Sequence, residues 1–511
     1  MNVKILVVLG FILLSYTTSS QEVNFNIDQK SWEEDFQFLK KKVEKIVPQY
    51  QNKMYKTSFD AVYDIISDSE VGNNKEDVVF ALQRLLNTLN DEGCNVPLFQ
   101  KGVALPVSPI KTYWFNDGLY ILDASDNYKD VIGKQVVKIN NTTIEEAFKK
   151  LKPLLNADND YYKKYLFQIY GFMPSMLKFL GVENNNDEVL VEFASGESIQ
   201  IKGSTIQEYS KLSRLLPNDE FFSASNTSYK NKNYWFEFLP NTKSLFIQLQ
   251  QISNNENGDS FSGFVDNIEN IIENNKANKL IIDLRYGGGG NGFKLKPLTD
   301  MLRDSKVINK KGHLFVLTSK ATRGTLLELA SILKLNTKAV IVGEPTAEGA
   351  NTVGDIKYVT LPNSGLIVSL THTLWPTSWK NDTSTFLLPD EQVTFNYSDK
   401  VKGIDPWLNA VGNYKVRESQ IPVPNDLKNK LLGTYKINGR KVTIADKNGR
   451  LLLMMNRKMK SFFEIHTELH FQSEGVLSTD IEGVTLNYTT TNLNEVTLQS
   501  LHWNQMVLKI Q

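Results

Sequence analysis

Between residues 235 and 415 short apolar runs alternate with amphipathic segments, and this alternation most restricts what the chain can fold into. Leu245 to Leu249, Leu280 to Leu284, Leu314 to Leu317 and Ala339 to Val342 read as strands. Phe261 to Ile272 and Leu326 to Leu333 read as helices. Strands separated by helices pair in parallel, because a parallel crossover needs a connection long enough to carry the chain back to its starting end. The expectation is a layered α/β core over residues 235–415.

The flanks differ. In residues 21–95, Trp32, Phe36, Leu39, Val43 and Ile46 recur at helical steps, as do Val78, Leu82, Leu85 and Leu89, so this part is expected to be a helical domain whose stripes are core. Residues 96–230 are mixed. The strand-like Gly118 to Leu122 and Gly133 to Asn141, followed by a helical segment Ile144 to Leu155, suggest a PDZ-like module. Residues 425–511 carry Asn438-Gly439 and Asn448-Gly449 between β-branched runs, the pattern of hairpin turns, and are expected to form an all-β barrel or sandwich. The boundary before them is the proline-containing Ile421 to Pro424.

Residues 1–20 read as a signal peptide: Lys4 precedes the apolar run Ile5 to Leu14, which is too short to span a bilayer, and small polar residues lead to Ser20. A secreted or periplasmic location is therefore expected. No later segment reads as transmembrane. Cys94 is the only cysteine, so no intramolecular disulfide forms and no cysteine metal site is expected. Lys and Arg total 57 and Asp and Glu total 57; without a basic surplus, nucleic acid is not an expected partner.

The segment Asp283-Leu284-Arg285-Tyr286-Gly287-Gly288-Gly289-Gly290-Asn291 is the richest in chemistry. Glycines after a buried strand let backbone approach a ligand and let N–H groups converge on an oxyanion. No Gly-Lys-Ser/Thr follows, so it is not a Walker loop. The segment resembles the Asp-x-Arg-glycine loop of the tail-specific (C-terminal-processing) serine proteases. Phe315 to Thr318, Gly343-Glu344-Pro345-Thr346, Leu361 to Gly365 and Gly403-Ile404-Asp405-Pro406 follow in that family's order, and Trp32 and Asp35 fit its N-terminal helices. The resemblance spans roughly residues 30–412. It implies a crotonase/ClpP-like βα core and a peptide-binding cleft, with no cofactor.

The resemblance also locates what is missing. The family's nucleophilic serine falls on Gly324 within Thr322-Arg323-Gly324, its general-base lysine on Gly349 within Ala347-Glu348-Gly349, and its histidine on Gly93 within Asp91-Glu92-Gly93-Cys94. Thr325 is the nearest hydroxyl, about 100° around the helix from the serine direction. The expected result is a homologue without catalysis that holds a peptide or unfolded protein tail. The loop Gly287, Gly288, Gly289, Gly290 would receive it, with Arg285 beside the loop expected to pair with a carboxylate behind it and a ligand-facing role as the alternative, and the peptide's C-terminal carboxylate would mimic the oxyanion. Restoring Ser at position 324 and Lys at position 349 together should restore reactivity. The alternatives are a surviving peptidase dependent on Thr325 and a structural envelope protein. Cys94 with His372 is a weaker nucleophile pair; a packed cysteine is the expectation. His466 and His470, four apart in a strand, are not expected to bind metal. Oligomeric state is left open.

Overall fold

The computed structural model describes residues 23–69, 74–182, 187–212, 233–254, 260–274, 276–378, 382–416, 421–437, 440–447, 449–455, 465–480, 484–491, 495–503 and 506–509. The expected signal segment 1–20, the Asn438-Gly439 turn and Asn448 lie outside these residues. Among the described residues no helix is long and apolar enough to cross a membrane.

Three helices open the chain: α1 (Gln29–Ile46), α2 (Lys53–Asp68) and α3 (Lys75–Asn87). The stripe read from sequence is the buried face of α1, with Trp32, Phe36, Leu39 and Val43 inside. Asp35 is buried on the same helix and accepts hydrogen bonds from the amides of Asn363 (2.8 Å) and Ser364 (2.9 Å). The first helix thus caps a turn more than three hundred residues later. A carboxylate that accepts two backbone N–H groups offsets the cost of its own burial.

An antiparallel sheet follows. It comprises β1 (Ile110–Phe115), β2 (Gly118–Ala124), β3 (Gln135–Ile139), β4 (Thr142–Thr143), β5 (Glu188–Phe193) and β6 (Ser198–Lys202), in the order β1-β2-β3-β5-β6 with β4 on β3. The helices α4 (Ile144–Leu151), α5 (Asp160–Tyr170), α6 (Pro174–Phe179) and α7 (Ile206–Lys211) accompany it. The expected strand-turn-helix is present: Asn140 and Asn141 take left-handed φ of 46° and 61°, and Thr143 with Glu146 forms a capping box on α4.

The core sheet contains β7 (Tyr234–Leu239), β8 (Ser244–Leu249), β9 (Lys279–Asp283), β10 (Leu314–Thr318), β11 (Val340–Gly343) and β14 (Glu391–Gln392), in the order β14-β11-β10-β9-β8-β7. All pairs are parallel except β7 with β8. Every residue of β8, β10 and β11 is buried, as a parallel sheet covered on both faces requires, and this is why these strands read as unbroken apolar runs. Helices α8 (Phe261–Glu273), α9 (Lys296–Asp304) and α10 (Gly324–Asn336) cover one face. Tyr113 and Phe115 of β1 and Trp407 of α12 (Pro406–Asn413) cover the other. A short α11 (Tyr397–Val401) precedes α12.

A long hairpin, β12 (Asn351–Thr360) and β13 (Ile367–Pro376), leaves the core and joins the N-terminal helices. Its Val359, Leu361, Leu366, Val368 and Leu370 share one hydrophobic cluster with Trp32 and Leu39. Residues 361–365 form the hairpin's turn, closed by the Leu361 amide to the Leu366 carbonyl and by the Asp35 cap. Residues 235–415 are therefore not one self-contained unit, because this hairpin belongs to the core of the N-terminal part.

The C-terminal region is neither a closed barrel nor a two-sheet sandwich. One antiparallel sheet, an open half-barrel, runs in meander order: β16 (Gly433–Ile437), β17 (Arg440–Lys447), β18 (Arg450–Met455), β19 (Ile465–Ser473), β20 (Val476–Thr479), β21 (Val484–Thr490), β22 (Val496–Trp503) and β23 (Met506–Lys509). The short β15 (Ile421–Pro422) adds to β19, and α13 (Asn425–Leu431) packs beneath. Leu335 of α10 lies in this sheet's core. Apolar residues on more than one side of α10, such as Leu326, Leu329, Ile332 and Leu335, let it serve two cores at once.

Candidate binding cleft

The glycine loop leaves β9 and crosses in front of α10. Gly288 bridges to Arg323 and Gly290 to Ile252, so backbone pairing holds the loop on both sides. The four glycines are needed for different reasons. Gly289 and Gly290 have φ of 89° and 121°, in the region that favours glycine. A Cβ on Gly287 would lie 2.1 Å from the Gln250 carbonyl oxygen. One on Gly288 would lie 2.7 Å from Arg323 Cγ, so Gly288 is required by that contact and not by its dihedral angles.

Arg285 is not part of the cleft wall. Its side chain is 2% exposed and turns behind the loop, bonding Asp283 (2.9 Å) and Asp405 (3.0 Å). Burial opposes its charge, but the two carboxylates outweigh burial and hold it as a guanidinium. Asp405 also accepts the amides of Trp407 and Leu408 at the start of α12, so Arg285 joins strand, loop and helix. Arg285 braces the loop from behind, as expected of a residue that pairs with carboxylates there.

In front of the loop lies a cavity of about 530 Å³, bordered by Gly288–Gly290, Gly93 and Gly324. Two of the three glycines at expected catalytic positions thus meet in one space, and the third sits beside it. A side chain at each meets backbone strain or a close contact. Gly324 has φ of 53°, and a Cβ there would lie 3.1 Å from the Gly289 nitrogen. A Cβ on Gly93 would lie 2.3 Å from Thr371 Cγ2. On Gly349 it would lie 1.7 Å from the carbonyl oxygen of Ser384, inside the backbone of the neighbouring segment. The expectation that serine and lysine substitutions together restore a catalytic pair fails on this geometry, because the lysine cannot be built at position 349. Thr325 begins α10 with its hydroxyl donated to the Gly290 carbonyl (3.1 Å), which fixes the loop on the helix.

Each of the three glycines follows a charged residue, and the three charges converge. Arg323 Nε donates to Glu92 at 3.0 Å, and the Tyr162 hydroxyl donates to the other oxygen of Glu92. Burial opposes the charge of Arg323, and Glu92 more than restores it. Glu348 is partly buried with no side-chain partner among the described residues. Burial, then the nearby Glu92, Asp158 and Asp91, push its carboxyl well above the usual range. Asp91 is held by Gln49 (2.9 Å), the Gly93 amide (2.9 Å) and Thr371. Burial still raises it.

Glu328, one turn into α10, is 5% exposed and borders the cavity. Its Oε2 faces Gly292, where a Cβ would come within 2.7 Å. Burial, then Asp355, push its carboxyl up to about 7. Asp355 stands at a left-handed φ of 56° in β12, the strand that lines the opposite wall. The charge of the cavity wall is one-sided: Asp91, Glu92, Glu328, Glu348 and Asp355 against Arg323.

The remaining candidates resolve as packing. The Cys94 thiol is fully buried against Asp91 (3.6 Å) and Thr371 (3.3 Å), and burial, then Asp91, push it up, so it stays a thiol. His372 is exposed, with a bond to Thr373, and forms no pair with Cys94. His466 and His470 are both buried on β19. The oxygens and nitrogen of Glu468, His470 and Asp480 do lie close enough together to hold an ion, but Lys338 fills that role. Its ammonium is 2.9 Å from Glu468 and 2.7 Å from Asp480.

No family model and no curated protein matches the chain. Solved structures do. Mature CPAF complexed with lactacystin is 12% identical with a TM-score of 0.50, covering 75% of this chain and 97% of that one. A serine-to-alanine mutant of CPAF is 14% identical with a TM-score of 0.51, covering 76% and 99%. The photosystem II D1 C-terminal processing protease is 14% identical over 71% of this chain and 92% of that one, with a TM-score of 0.36. The chain has the fold of the tail-specific serine proteases.

Proposed function

We propose that the protein is a noncatalytic member of this fold that binds an extended peptide or an unfolded protein tail without cutting it. The observation that carries the reading is the packing at Gly93, Gly324 and Gly349. A side chain is disfavoured at each position, by the Thr371 methyl at Gly93, by the left-handed backbone at Gly324 and by the Ser384 carbonyl at Gly349, while the cavity in front remains open at about 530 Å³. A volume of this size suits a bound organic segment. Residues Thr352 to Ile356 of β12 border the cavity, and among the described residues its strand pairing is with β13, so the edge along Thr352 to Ile356 supports strand addition by an incoming peptide. The competing peptidase reading would need Thr325 free, and its hydroxyl is bonded to Gly290.

The test is calorimetry of the purified chain against unstructured peptides, followed by mass spectrometry of the recovered peptide. Binding of about micromolar strength with the peptide intact is expected, since ordering a short segment offsets much of its contact energy. Absence of binding at hundreds of micromolar overturns the reading. The apolar run Ile5 to Leu14 supports export with cleavage near Ser20. An intact Met1 on exported protein overturns that part.

A further inference from the structure

Glu328 raises a question the peptide-binding reading does not answer. It is the one acidic residue of α10, a helix otherwise buried and apolar around its middle. An isolated carboxyl in such a place is costly unless something pairs with it. No hydrogen bond or ion pair to its side chain exists among the described residues, and it is 95% shielded from solvent yet open to the cavity. Glu348 stands at the same cavity, also without a side-chain partner among the described residues. The single cation in the wall, Arg323, is already bound to Glu92.

A metal ion does not fit these carboxyls. Among the described residues, the acidic and imidazole groups that converge tightly enough for one ion are Glu468, His470 and Asp480, which lie in the C-terminal sheet and not here. Carboxyls spread around a space of about 530 Å³ suit a longer organic cation. Trp375 borders the same cavity and stacks edge-on with Phe293 at 5.6 Å, and an indole face is a further acceptor for a cation.

We propose that the cavity is a subsite for a basic side chain, the ammonium of a lysine or the guanidinium of an arginine in the bound segment, held by Glu328. This rests on the peptide-binding reading and specifies what is recognised. The ligand's charge supplies the partner that the Glu328 carboxyl lacks, and the backbone of the segment lies along the outer edge of β12. Selectivity then comes from a buried acceptor that an uncharged residue would leave unsatisfied.

The experiment uses the full chain and two unstructured peptides, identical except that one carries lysine where the other carries uncharged norleucine, the lysine side chain without its terminal ammonium. The lysine peptide should bind wild type about tenfold tighter or more. Glu328→Gln should remove most of that preference while still binding the norleucine peptide. Equal binding of both peptides to wild type overturns the subsite and leaves the peptide-binding reading standing. A lysine preference that survives Glu328→Gln overturns the assignment to Glu328. Binding of neither peptide at hundreds of micromolar overturns both readings.

Discussion

Replacing Glu328 by glutamine should stabilise the ligand-free protein at alkaline pH and change little at acidic pH. Burial, then Asp355, carry this carboxyl from its ordinary 4.5 up to about 7. Between those values the unfolded chain has released the proton and the folded chain keeps it. Folding stability that is present below about pH 4.5 is therefore lost as the pH rises through about 7. The difference corresponds to about 3 kcal/mol at most. Glutamine has the same shape and never ionises, so the variant escapes that loss. The other charged groups bordering the cavity, Asp355 on β12, Glu348, Asp91, Glu92 and Arg323, are common to both proteins, so much of their titration cancels in the comparison. Urea unfolding of both proteins at pH 5 and pH 8.5 measures the effect as a midpoint difference at unchanged slope. The variant should gain on wild type by up to about 3 kcal/mol between the two pH values. A constant difference across that range would refute the burial argument and, with it, the claim that this carboxyl lacks a partner.

Three further predictions follow from the site. Arg285→Leu leaves Asp283 and Asp405 buried without their cation and should cost about 3–5 kcal/mol in thermal or urea unfolding; an unchanged midpoint contradicts the bracing role. Gly349→Lys should destabilise the fold, alone or with Gly324→Ser, and should not create a group reactive to a serine-directed probe, because its Cβ would overlap the Ser384 carbonyl. Labelling at position 324 in the double variant would overturn this. Gly288→Val should weaken peptide binding by displacing Arg323 from Glu92, and unchanged affinity would show that the loop and this ion pair are not coupled.

Much of the core was legible because its strands are buried on both faces and therefore uninterrupted in sequence, from Leu245 to Val342. The glycine loop was legible for the same kind of reason, since a run of four glycines has few other uses. What lay beyond the sequence is contact at long range. Nothing near residue 361 announces that Asp35 caps its turn, nor that the hairpin completes the N-terminal core. The open C-terminal sheet could not be told from a barrel, because hairpin turns and alternation are common to both. At the site, Glu92, Arg323 and Glu348 each stand one residue before one of the three glycines and meet in space, a convergence with no local sequence signal. Glu328 did leave a signal, an ionisable residue inside an otherwise apolar helix, and that pattern marks a buried charge in need of a partner.

The central claim, a cleft that holds without cutting, is tested most directly by incubating the purified chain with unfolded casein and a serine-reactive probe, then measuring intact masses of both proteins. The account predicts full-length casein and an unmodified chain. Casein fragments together with a probe adduct on Thr325 would contradict it, since that hydroxyl would then be free to attack and not held by the carbonyl of Gly290.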